Sequence, residues 1–190
     1  MDTAELDATL VENLAELDAI NTQIDRVTDA LWAALGRDIG AWAIAKGWNG
    51  GSDPDDDFWV APPDWITEGA SERYFYFDHG PGDDRTALSY ELSRWCGAGG
   101  GRIALWFEPK VGRTRWKPLA KSASQRLAAA GFALSDYGNA YTDCTLQLDV
   151  VAKAFREGDL SAVSEPLLQA LNKAAAAKRL FDDLISQATR

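Results

Sequence analysis

Asp53, Asp55 and Asp57 alternate along "GGSDPDDDFWVAPPDW" (50–65), with Asp56 between them and Asp64 further on. Carboxylates so spaced are the donors of a twelve-position calcium loop, which takes oxygen ligands at positions 1, 3, 5 and 12 and a glycine at 6. Asp53, Asp55, Asp57 and Asp64 fill 1, 3, 5 and 12. Phe58, however, stands where the loop must turn sharply, Asp64 has a shorter reach than the usual Glu, and a strand rather than a helix is predicted to follow. Gly50, Gly51, Ser52 and Pro54 are ordinary turn formers. The expected structure is a solvated acidic turn without a cofactor, and ligation of Ca²⁺ or Mg²⁺ is the alternative.

A second constellation is "FEPK", with Glu108 and Lys110 at the end of a predicted strand. A carboxylate there can hold Mg²⁺ while the ammonium lies beside an attacking water. With Asp78 as a first carboxylate, the set Asp78, Glu108 and Lys110 resembles in outline the metal-dependent nucleases of the PD-(D/E)xK class, whose core order of helix, meander, helix and strand the chain shares. The resemblance implies a divalent-metal phosphodiesterase, with 110–126 as its phosphate-binding arm. The chain departs from that pattern in three places. A whole predicted strand separates Asp78 from Glu108, Pro109 interrupts the strand, and Ser93 takes the lysine position in the neighbouring "ELS".

"KVGRTRWKPLAKSASQR" gathers Arg113, Arg115 and Lys117 around Trp116, a mixture that can hold phosphates and stack a base. In a chain of net charge −10 it reads first as a basic connection that offsets acidic surface on the same molecule or on a partner subunit. His79, the only histidine, follows Asp78 in "FDHGPG". A carboxylate-oriented imidazole can serve as a general base, but no nucleophile motif accompanies it, and an exposed turn residue is expected. "CGAGGGR" has no Gly-Lys-Ser/Thr and leads into a strand, so it reads as a hairpin tip, not a phosphate loop. Cys96 and Cys144 are the only cysteines and are expected to be buried thiols.

The charge is segregated. Residues 1–93 hold 20 acids and five bases, whereas 94–190 hold nine acids and 14 bases. This balance disfavours a general nucleic-acid or anionic-membrane binder; 110–126 is the one stretch where nucleic acid could be held. No run approaches 18 uninterrupted apolar residues, and the acidic start "MDTAELDATL" lacks the features of a signal peptide. A cytoplasmic protein with no membrane partner is expected.

The elements that must position these groups change period along the chain. Asp2 and Glu5 have the spacing of a capping box. Leu17, Ile20, Ile24, Val27, Leu31 and Ala34 then recur at 3-4 spacing, the seam of a helix that packs on another helix, while Leu6, Leu10 and Leu14 drift from that register, so a long regular coiled coil is not expected. Its outer face carries Glu12, Glu16, Asp18, Asp25 and Asp29. "LGRD" (35–38) predicts a break, with Asp38 capping a short second helix that Gly47 ends. Strands are predicted at "FWVAP", "RYFYFD", "TALSYELSRW" (86–95), "GRIALWFEP", "GFALSD" and "YTDCTLQLDV". A helix starts at Pro118 and stops at Gly131, a short one runs to Glu157, and a last one is capped by Ser164. The eight Trp exceed what the length calls for, and a buried layer against the sheet is their expected place.

The expected fold is α+β in a single domain, 1–190: an antiparallel sheet, a meander of about four strands plus one or two more, covered by N- and C-terminal helices. Within it an N-terminal helical segment (1–47) packs on or projects from a core at 57–158, and a C-terminal helix covers 159–190. The expected function is non-enzymatic. The chain would bind a protein with a basic surface through Glu12, Glu16, Asp25 and Asp29, as an inhibitor, immunity or regulatory factor or a mimic of nucleic acid. A homodimer through the N-terminal seam is the further partner expectation.

Overall fold

A computed structural model describes residues 2–52, 58–67, 70–71, 74–81 and 91–190. Contacts divide the chain into two compact units, 1–33 and 34–190. Helix α1 (Thr3–Glu12) and the first part of α2 (Leu14–Lys46) make the first. The second unit holds β1 (Asn49–Ser52), β2 (Phe58–Ala61), β3 (Ile66–Thr67), β4 (Ala70–Ser71), β5 (Tyr74–His79), α3 (Glu91–Trp95), β6 (Ile103–Glu108), α4 (Arg113–Ser122), α5 (Ser124–Ala129), β7 (Ala133–Leu134), β8 (Ala140–Asp143), α6 (Leu148–Glu157) and α7 (Glu165–Ala188).

Among the described residues there are seven helices and a six-stranded antiparallel sheet of order β1-β2-β5-β6-β8-β7, with β3 and β4 forming a separate hairpin. The α+β architecture is thus the one its alternating and helical periods predict. One sheet face presents Phe75, Phe77, Ile103, Leu105 and Phe107, all buried. Against it lies the apolar stripe of α7, where Phe181 approaches Phe107 with ring centroids 4.3 Å apart and Phe75 at 5.2 Å. Leu167, Leu171, Ala174 and Leu184 continue that stripe and are buried. Helix α4 packs on α7 and adds Trp116, 5.4 Å from Phe107.

The opposite face carries a cross-strand aromatic row. Trp59 pairs with Tyr76, Tyr76 with Trp106, and Trp106 with Tyr141. Trp65, Trp95, Trp106 and Trp116 are buried, and Trp32, Trp42, Trp48 and Trp59 are half-buried. The tryptophan surplus therefore serves both faces of the sheet.

Several predicted boundaries move. Residues 91–95 are helical, not the end of a strand, and β6 pairs directly with β5; the rest of that predicted strand, 86–90, lies outside the described residues. Leu92, Trp95 and Cys96 fit spacing of three and four, and Trp95 falls out of the alternation that Leu88, Tyr90 and Leu92 suggest. Similarly, Leu148 begins α6, because Val151 and Ala154 bury at helical spacing. No break occurs at 35–38. Asp38 is internal to α2, and its Oδ2 accepts the Ser164 hydroxyl at 2.5 Å. That contact also takes Ser164 away from capping α7, and Asp2 makes no side-chain cap bond. Helix α4 begins at Arg113, five residues before Pro118.

Strand β1 has no hydrophobic signal at all. Its glycines are there for closeness: a Cβ at Gly50 would sit 3.2 Å from both Ala43 Cβ and the Trp59 carbonyl. Gly47, with φ +66°, ends α2 as its position after the last helical residue predicts.

Candidate functional site

In the first unit, Glu12, Glu16, Asp25 and Asp29 are all exposed, as helical spacing places them. The same segment exposes apolar side chains: Leu6, Leu10, Val11, Leu14 and Ile20 are 42 to 67% accessible. Leu17, Ile24 and Val27 are half-buried and Leu31 is buried. Eight carboxylates and one base, Arg26, occupy residues 1–33. The combination is an acidic helix with large apolar groups in water, which a soluble surface ordinarily avoids.

The set Asp78, Glu108 and Lys110 does not come together. In the antiparallel register Glu108 lies opposite Tyr74, whereas Asp78 lies opposite Ala104. Four ladder steps of roughly 3.3 Å put about 13 Å between them. Glu108 is instead used locally, with its Oε1 accepting the Lys110 backbone N–H at 3.0 Å. Lys110 adopts φ 49° and sets its ammonium over Tyr74, 5.4 Å from the ring centroid.

The basic stretch forms the first turns of α4 beside a shallow pocket of about 290 Å³ that Glu108, Arg113, Tyr137 and Asn139 help to line. Arg113 stacks over Tyr137 at 4.7 Å, and Arg115 is exposed. The Lys117 ammonium donates to the Asp136 carbonyl at 2.7 Å. Trp116, the expected stacking platform, is only 2% exposed, and its indole N–H donates to the Gly138 carbonyl at 3.1 Å. It is a core residue and offers no face to a base.

Of the calcium-loop set, Asp53, Asp55 and Asp57 lie outside the described residues. Asp64 does not; its Oδ2 is 2.7 Å from the Lys178 ammonium, which also meets Asp182 at 2.8 Å. Burial works against the charge on Lys178, yet the two carboxylates outweigh it and raise its pKa above the usual lysine value. Among the described residues no group of three or more His, Cys, Asp and Glu is placed to hold a metal ion.

His79 is not the loose turn residue its neighbours suggest. It ends β5, its side chain is 16% accessible, and Nε2 lies 3.1 Å from Glu91 Oε1 and 3.3 Å from an Arg94 guanidinium nitrogen. Its Nδ1 is 2.9 Å from Asp78 Oδ1, an oxygen that accepts the His79 backbone N–H. The arrangement pins α3 to the sheet.

A cleft with no sequence motif opens where the end of β8 meets α6 and the first turns of α7. It measures about 460 Å³, and Asp143, Gln147, Glu165, Gln169 and Lys173 supply its polar lining. These residues come from separate elements, so no local spacing announces them. Cys144 also lines it, but burial drives its thiol far above the ordinary range, while burial pushes Cys96 up to about 11. Both thiols are buried, as expected, and neither is a nucleophile at neutral pH.

No helix among the described residues is long and apolar enough to cross a membrane. Comparison with protein-family models, with curated proteins and with solved structures found no match.

Proposed function

We propose that this chain is a non-enzymatic protein-binding factor of inhibitor, immunity or regulatory type, which docks a partner of basic surface through residues 2–30. One observation carries this reading. Leu6, Leu10, Val11, Leu14 and Ile20 are five of the eight large hydrophobic residues exposed among the described residues, and they share a segment with Glu12, Glu16, Asp25 and Asp29. Exposed apolar groups supply affinity once water is excluded, while a one-signed charge steers the encounter and selects against acidic partners. The spaced carboxylates also suit a cleft that otherwise holds nucleic acid.

The test is affinity capture with the full chain as bait, beside a variant carrying Glu12→Gln, Glu16→Gln, Asp25→Asn and Asp29→Asn. A partner retained by the natural chain, lost by the variant and released by salt is expected. Retention indifferent to both changes would overturn the reading.

A further inference from the structure

The docking reading of residues 2–30 is the premise here. Leu10, Leu17, Ile24 and Leu31 recur every seventh residue, and Leu6, Ile20 and Val27 fall on the companion row with Asn13. Leu6 and Leu10 are therefore in step with the seam; only Leu14 lies one residue off it. This is a heptad pattern of nearly four repeats that crosses the turn at Asn13 between α1 and α2, long enough for a two-stranded coil.

We propose that this seam pairs with a second copy of the same chain, in parallel and in register from Leu6 to Val27, and leaves the acidic face outward for the basic partner. The placement of charge selects the occupant. Glu5, Glu12, Asp18, Asp25 and Asp29 sit on the positions turned away from the seam. The positions that flank it are Asp7, Thr9, Leu14, Glu16, Asn21, Gln23, Thr28 and Ala30, and Glu16 faces the neutral Asn21 across a parallel pair. A basic partner lying along the seam would be met by acids beside it. A like-charged copy requires those positions largely neutral, and from Asp7 to Ala30 six of the eight are, with Asp7 and Glu16 the two acids among them.

Asn13 gives the orientation. Its backbone N–H bonds the Leu10 carbonyl at 3.2 Å, three residues back, and its side-chain amide donates to the Thr9 carbonyl at 2.7 Å. The amide oxygen and second N–H proton can still bond. In a parallel, in-register pair they meet the same groups of the copy's Asn13. An antiparallel pair sets them against Leu10, Leu17 or Ile24, where a buried amide goes unsatisfied.

Sedimentation of the full chain should give twice the 20.7 kDa of one copy. Ile20→Asp, at a position 54% exposed, should halve that mass with an unchanged circular dichroism spectrum. On oxidation Leu6→Cys should form a disulfide-linked pair and the outward Asp18→Cys should not, since only seam cysteines of a parallel pair come within bonding reach; Cys96 and Cys144 are buried and do not compete. A monomer at high concentration, a dimer that survives Ile20→Asp, or equal cross-linking of both cysteine variants would overturn the inference. A monomer that still captures a basic partner would sink self-pairing alone, whereas a dimer that captures none, whatever the salt, would sink the docking reading alone.

Discussion

At the scale of the residue, several charged groups among the described residues are committed to one another. Arg102 grips Asp143 at the rim of the cleft, with Nε 3.0 Å from Oδ2, and the Thr145 hydroxyl donates to Oδ1 at 2.9 Å. Burial acts to raise the Asp143 pKa, but the bonds from Arg102 and Thr145 together outweigh it and hold the carboxyl below its ordinary value. A depressed acid contributes stability above the unfolded pKa, about 3.9, and loses it as pH falls through the lower folded value. Because the pair is largely exposed, Asp143→Asn should cost only about 0.5 kcal/mol at pH 7. Urea unfolding should show that difference vanish once both states are protonated; a difference that persists in acid would mean the pair is not its source. Asp64 is a parallel case. Its place in a calcium-like spacing was visible in sequence, but its cation is Lys178, 114 residues away.

At the scale of the element, glycine separates two kinds of turn. Gly47 and Gly138 both hold positive φ, +66° and +89°. A Cβ on Gly47 meets nothing within 4 Å, whereas on Gly138 it would stand 2.9 Å from Lys117 Cγ and 3.2 Å from Lys117 Cα. Gly47→Ala should therefore cost about 1 kcal/mol of backbone strain, and Gly138→Ala about 2 kcal/mol or more, since α4 and the turn before β8 must also part. Chemical denaturation of both variants checks the order, and equal losses would show that Lys117 yields freely. The long periodic elements were legible: the helix that carries Leu17 to Leu31, β5, β6 and α7 stand where their spacing puts them. The errors fell in short stretches. Leu146, Leu148 and Val150 continue an alternation into α6, while over 91–95 the helical spacing of Leu92 and Trp95 runs against the alternation before it.

At the scale of the whole molecule, salt has two opposite expected effects. Two acidic N-terminal units repel each other, so screening should strengthen self-association; the same ions should weaken binding of a basic partner. Sedimentation and partner affinity measured over one salt series should move in opposite directions, and a common direction would show that the seam and the acidic face are not separate surfaces. By itself the sequence determined the α+β class, the acidic helix and the burial of both thiols, because each depends on composition or on a period that local geometry imposes. Only the tertiary structure decided which groups meet. The β5–β6 register parts Asp78 from Glu108. The packing of α4 on α7 buries Trp116, and the stretches 143–150 and 162–173 converge on the cleft. Such proximities follow from how strands register and helices stack, and these are settled by contacts between residues far apart in the chain.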